Sequence, residues 1–347
     1  PYSTLPCRLR YMKHDGSSWS GPETVAAGIE PAFFLMEAPL CSAGASPDGV
    51  PCCVYEDSAS LFYVRESTQS TAYFAEGFTA GDFQEFLCLA NPQGADIQST
   101  ITYMFTDGNT QVQDIMVPAQ SRVTVDVNAV VGPDREVSAK VESSGDVAAE
   151  RPMYFDYGDG WDGGHVVKGA PWPAINWFFA EGYTGEGFDE YICVLNPGDH
   201  NANLTFRFQT QSEGEKVISD YMVEPHSRMT FRVNDLLGSD YQTSLKLESD
   251  RPIVAERPMY FDYRGANSDQ NWQGGHCVMG IPFLSNDYYF AEGTTRGGFE
   301  EWLTIQNPGA SDIVVDATYY LGEGQGAPVT KPYDVPADSR RTVYVPS

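Results

Sequence analysis

The stretch Trp177–Gly198, WFFAEGYTGEGFDEYICVLNPG, is written three times in this chain: it returns as AYFAEGFTAGDFQEFLCLANPQG at Ala72–Gly94 and as YYFAEGTTRGGFEEWLTIQNPG at Tyr288–Gly309. Phe74 to Phe179 is a step of 105 residues, and Phe179 to Phe290 one of 111. A period that long marks a domain rather than a solenoid turn. Later landmarks hold the register. PAQSRVTVDVN from Pro118 returns as PHSRMTFRVN from Pro225 and PADSRRTVYV from Pro336. AAERPMYFDY from Ala148 returns as VAERPMYFDY from Val254, and GGHVVKGAP from Gly163 as GGHCVMGIP from Gly274; the third copy has neither.

Inside each copy the hydrophobic period is two. Val123, Val125 and Val127 alternate with Arg122, Thr124 and Asp126, the pattern of a strand with one face on a core. Between such runs stand turn formers, Asn91-Pro92, Asn196-Pro197 and Asn307-Pro308 among them. No segment sustains a helical apolar stripe over three turns. The expected fold is all-β: tandem antiparallel β-sandwich domains of immunoglobulin-like size, over 69–174, 175–285 and an incomplete 286–347, after a β-rich segment over 1–68.

Composition narrows the function. Forty-eight Asp and Glu stand against 21 Lys and Arg, a net charge of −27, which opposes nucleic-acid binding because phosphates require cations. No apolar run reaches membrane-spanning length. The seven cysteines form no C-x-x-C pair, against zinc ribbons and thioredoxin-type redox sites.

The combined motifs F-A-E-G, F-x-E, N-P, S-R-x-T, A-E-R-P-M-Y and G-G-H resemble a family of tandem extracellular domains in large bacterial surface proteins, over residues 72 to 347. The resemblance implies a surface-exposed, repetitive protein and supplies no activity. Residues 8 to 65, with G-x-x-W and S-x-D-G-x-P turns around His14-Asp15-Gly16 and Pro47-Asp48-Gly49, resemble about one blade of a sialidase-like β-propeller.

The recurring charges offer two readings. Glu76, Glu181 and Glu292, with Glu85, Glu190 and Glu301 downstream, are carboxylate pairs of the kind used in glycoside cleavage. The favoured reading is a structural charge network. Glu150-Arg151 and Glu256-Arg257 lie in aromatic, half-buried strands, where a carboxylate must meet a guanidinium, with Arg122, Arg228 and Arg340 as further partners. No catalytic residue and no cofactor is expected.

Asp156, Asp159 and Asp162 are weak candidates for calcium, since the second copy keeps only Asp262 and a displaced Asp269. His165 and His276 have no neighbouring ligand in sequence and read as hydrogen-bonded strand-end residues. Cys193 and Cys277 are a candidate disulfide. Trp161 and Trp272, read as loop residues before G-G-H, are candidates for stacking on glycans.

The expectation is a secreted structural or adhesive cell-surface protein, a rod, filament or surface-layer component. Its partners would be further copies or other surface proteins, with glycans as a further class and no nucleic acid. The alternative is an array of carbohydrate-binding modules; a fragment of a sialidase-like hydrolase stands third. Because the third copy lacks its last strands, either the natural chain continues or a neighbouring subunit donates the missing strand.

Overall fold

In the computed structural model the described residues are 7–11, 23–29, 41–45, 51–57, 60–65, 70–158, 160–211, 213–265, 271–322 and 324–345. Their regular structure is nearly all β-strand, and all sheet pairing among them is antiparallel. The chain divides into two compact units, Pro1–Gln69 and Ser70–Ser347. Among the described residues no helix is long and apolar enough to cross a membrane.

In the first unit, β1 (Cys7–Tyr11) pairs with β2 (Glu23–Ile29), while β3 (Cys41–Ala45), β4 (Pro51–Asp57) and β5 (Ser60–Arg65) form a three-stranded sheet. The two turns expected around residues 14–16 and 47–49 lie outside the described residues.

The second unit opens with the first copy. Its strands are β6 (Ser70–Phe74), β7 (Gln84–Asn91), β8 (Ile97–Phe105), β9 (Thr110–Val117), β10 (Ser121–Asp126), β11 (Val137–Ser143), β12 (Ala148–Tyr157) and β13 (Trp161–Lys168). They make two four-stranded sheets, β10-β7-β12-β13 and β6-β11-β8-β9. Leu87, Leu89 and Val125 from one sheet and Phe74, Ile101, Tyr103 and Val141 from the other share one buried apolar cluster. The two-residue alternation in S-R-V-T-V-D therefore reports a real inward face.

The second copy repeats the order with β14 (Ala174–Phe179), β15 (Phe188–Asn196), β16 (Ala202–Thr210), β17 (Gly214–Val223), β18 (Ser227–Arg232), β19 (Thr243–Arg264) and β20 (Asn271–Met279). Here the counterparts of β11 and β12 are one 22-residue strand, β19, which pairs with β14 and β16 at its start and with β15 and β20 further on. The third copy contributes β21 (Trp302–Asn307) paired with β24 (Ser339–Tyr344), and β22 (Ile313–Tyr319) paired with β23 (Val329–Val335).

Two short helices escape the sequence reading: α1 (Val127–Val131) and α2 (Val233–Leu237). Five residues are too few to show a 3.6-residue period. Their role is positional. Asn128 donates to the Phe83 carbonyl and accepts from the Glu85 amide, both at 2.8 Å. Asn234 treats Phe188 and Glu190 likewise. The Asn-Pro motif is structural in all three copies: Asn91, Asn196 and Asn307 are buried, and each amide donates to one carbonyl of its own turn and to two at the end of the second strand downstream.

Candidate functional site

Strand alternation decides what each A-E-R-P segment presents. Along β12, Ala149, Arg151, Met153 and Phe155 turn inward while Glu150 and Tyr154 turn outward to solvent. Along the matching part of β19, every residue from Ile253 to Tyr260 is buried. The same local sequence is covered on one face in the first copy and on both in the second, because the second copy's outer face packs against the first copy.

The junction is polar at its centre. Arg151 is fully buried and donates from Nη1 to the Glu76 carbonyl and from Nη2 to Glu76 Oε2, both at 2.5 Å. Glu256 of the second copy reaches in from the other side. Its Oε2 lies 3.0 Å from Arg151 Nη1, and its Oε1 accepts from the Ala75 amide at 2.7 Å. Tyr260 donates to Glu76 Oε1 at 3.1 Å, and the Cys277 thiol donates to Glu256 Oε2 at 3.2 Å. Burial opposes ionisation of Glu76, but Arg151, then His165 and the donors, outweigh it and hold its carboxyl below the usual range. Glu256 goes the other way: burial, with Glu76 beside it, exceeds the pull of Arg151 and raises it.

Aromatic rings wall this centre. Tyr260 stacks on Tyr157 at 4.3 Å between centroids and meets Phe155 edge-on at 4.9 Å. The paired glycines of G-G-H explain themselves here. A Cβ on Gly163 would lie 2.7 Å from the Phe155 ring and 3.2 Å from Gly274 Cα, and one on Gly275 would lie 2.8 Å from the Phe155 ring. Glycine inside a strand marks close backbone approach, a signal present in the sequence.

The third copy meets the second through matching residues. Tyr157 donates to Asp189 at 2.6 Å, and its counterpart Tyr263 donates to Glu300, the counterpart of Asp189, at 3.4 Å. Arg228 is buried against Glu136 at 2.6 Å and draws on Glu85, as Arg340 draws on Glu190. Arg257 repeats the pairing of Arg151, donating to the Glu181 carbonyl at 2.5 Å and to Glu181 Oε2 at 3.1 Å.

The first copy leaves the equivalent outer face open. Tyr154 is 56% exposed where Tyr260 is 4% exposed, and Val166 is 57% exposed where Cys277 is 6% exposed. Arg122 is exposed, donating to Thr124 Oγ1 at 2.7 Å, where Arg228 is buried.

Several expectations change. Glu150 is exposed rather than held by a guanidinium, since among the described residues no second copy packs on its face. Glu292 is exposed, and the A-E-R-P segment that supplies its counterparts with arginine does not occur in the third copy. Phe290, equivalent to the fully buried Phe74, is 74% exposed for the same reason: its pairing strand follows S-R-x-T in the earlier copies. Cys193 and Cys277 are both free thiols. β19 runs between their strands, and two strand spacings, roughly 10 Å, exceed disulfide reach.

Asp156 and Asp162 face each other across the exposed end of the β12–β13 hairpin, and Asp159 lies outside the described residues. Trp161 and Trp272 stand in β13 and β20 rather than in loops, both half-buried, with Trp161 5.4 Å from the Tyr157 ring. His165 is buried without the expected hydrogen bond: neither ring nitrogen has a partner.

The Glu85 carboxylate packs on the backbone of F-A-E-G. A Cβ on Gly77 would stand 2.2 Å from the Val137 carbonyl oxygen and 2.7 Å from Glu85 Oε2, and Gly182 and Gly293 bear the same relation to Glu190 and Glu301. Burial lifts Glu85 to about 8 and Glu190 to about 7 despite the opposing Arg151 and Arg257.

No family model matches the sequence, and no curated protein matches it. Among solved structures the chain is similar to a crystal structure of Thermotoga maritima 1070, at 22% identity over 31% of this chain and 94% of that one, with a TM-score of 0.28.

Proposed function

We propose that residues 70–347 are a structural element of a secreted or cell-surface protein: sandwich-like repeats stacked into a stiff spacer, with an adhesive or assembly role. The observation that carries this reading is the buried junction centred on Arg151 and Glu256, part of whose contacts recur between the second and third copies. Repeats that bury charge against each other resist bending more than repeats joined by a free linker. The recurring chemistry of F-A-E-G, A-E-R-P and G-G-H goes into holding copies together. The net charge of −27 suits a surface exposed to cations and repelling its neighbours at low salt.

Protease treatment of intact cells of the source organism tests the location and the role together. Peptides from residues 70–347 should be released from the surface while cytoplasmic markers stay protected. Recovery of the chain only from the cytoplasm would overturn the reading.

A further inference from the structure

We propose that the junction between the first two copies binds one divalent transition metal, zinc by its donor set, through Glu76, His165 and Cys277. A carboxylate oxygen of Glu76, a ring nitrogen of His165 and the Cys277 sulfur all lie within 4.8 Å of one another, and all three residues are buried. Two come from the first copy and one from the second, so the site exists only when the copies are docked.

The independent observation is His165. Its side chain is 4% exposed, its Nε2 lies 3.8 Å from Glu76 Oε2, and neither ring nitrogen has a hydrogen-bond partner. An imidazole that gives up water without a replacement partner keeps the full desolvation penalty of each unsatisfied nitrogen. A metal bond to one nitrogen removes half of that deficit.

Charge points the same way. Arg151 is the cation that two buried carboxylates, Glu76 and Glu256, share. A divalent ion adds two positive charges, and loss of the Cys277 proton to solvent adds one negative charge; the centre then carries three anions, one guanidinium and one divalent ion, and is neutral. Nitrogen, oxygen and sulfur donors together select zinc or a neighbouring transition metal, whereas calcium and magnesium take oxygen alone. The site belongs to this junction. Val166 stands in the first copy where Cys277 stands in the second. The zinc would rivet the first two copies.

The test is metal analysis of the whole chain purified without chelator, followed by cobalt substitution of the chelator-treated protein. One equivalent of zinc per chain is expected, and the cobalt form should show near-ultraviolet thiolate-to-cobalt charge transfer. Cys277→Val, which installs the residue the first copy already uses, should lose that band while keeping the circular dichroism of the parent; Cys193→Val should keep both. Should Cys277→Val fail to fold, His165→Asn serves in its place, with loss of stoichiometric zinc binding as the readout. Absence of the band in the parent protein at saturating cobalt, or its persistence in Cys277→Val, would overturn the proposal.

Discussion

Glu256 and Arg151 sit on different copies of the same repeat, 3.0 Å apart, with both side chains wholly buried. Glu150, which occupies the position of Glu256 in the first copy, is exposed. Removing the Glu256 carboxylate leaves Arg151 paired with Glu76 alone and orphans the buried Ala75 amide, at a cost of about 1–3 kcal/mol. Glu256→Ala should therefore lower the unfolding free energy by that order, and Glu150→Ala should change it by no more than about 0.5 kcal/mol. Urea denaturation of both variants checks the contrast; equal effects would contradict it.

A second pair separates the S-R-x-T arginines. Arg228 is buried against Glu136 while Arg122 is exposed. Arg228→Ala should destabilise measurably and Arg122→Ala should be close to neutral, as read by thermal melting. Arg122 as the more sensitive position would place the covered face on the wrong copy.

Gly77 has no room for a methyl group, whereas a Cβ on Gly94 meets nothing within 4 Å. Gly77→Ala must move both the Val137 carbonyl and the Glu85 carboxyl, and overpacking of this kind costs about 1–3 kcal/mol. Gly94→Ala should be neutral or slightly stabilising. The comparison is made by differential scanning calorimetry.

The buried carboxyls of Glu85 and Glu190 set a pH dependence. Their folded-state values, about 8 and about 7, lie above those of the unfolded chain, so between about pH 4.5 and those values the folded state holds more protons. Stability then falls as pH rises through that window. Below it, Glu76, held under its usual range, is forced to take a proton and stability falls again. Melting temperature should peak near pH 5. Glu85→Gln, which mimics the protonated carboxyl, should raise the melting temperature at pH 8 and leave it unchanged at pH 5. A parent protein whose melting temperature climbs steadily from pH 5 to pH 8 would contradict this.

The period of the F-A-E-G stretch and the two-residue alternation of S-R-V-T-V-D reveal the all-β architecture because strand faces and turns are local properties. That Arg151 would meet a carboxylate was legible too, since a buried guanidinium needs one; that Glu76 supplies it was not. What separates Glu150 from Glu256 was not: the two stand in the same E-R-P-M-Y-F-D-Y context, and only the neighbouring copy distinguishes them. Cys193 and Cys277 suggested a disulfide because sequence does not show that β19 runs between their strands. His165 gains Glu76 through the folding of its own copy and Cys277 through docking of the second, and no spacing along the chain encodes either. The glycines of G-G-H did carry a readable signal of close backbone approach, and the sheets meet there.

The Ala75 and Glu76 amides give the most direct test of the junction. Ala75 donates to Glu256 Oε1 at 2.7 Å and Glu76 to the same atom at 3.4 Å, so their protection from hydrogen exchange depends on a residue about 180 positions away. In the parent chain both amides should exchange with the slow class of core strands, and Glu256→Ala should speed them selectively while Glu150→Ala leaves them unchanged. Rapid exchange at Ala75 in the parent, or exchange indifferent to Glu256→Ala, would show that the copies are not held together as described.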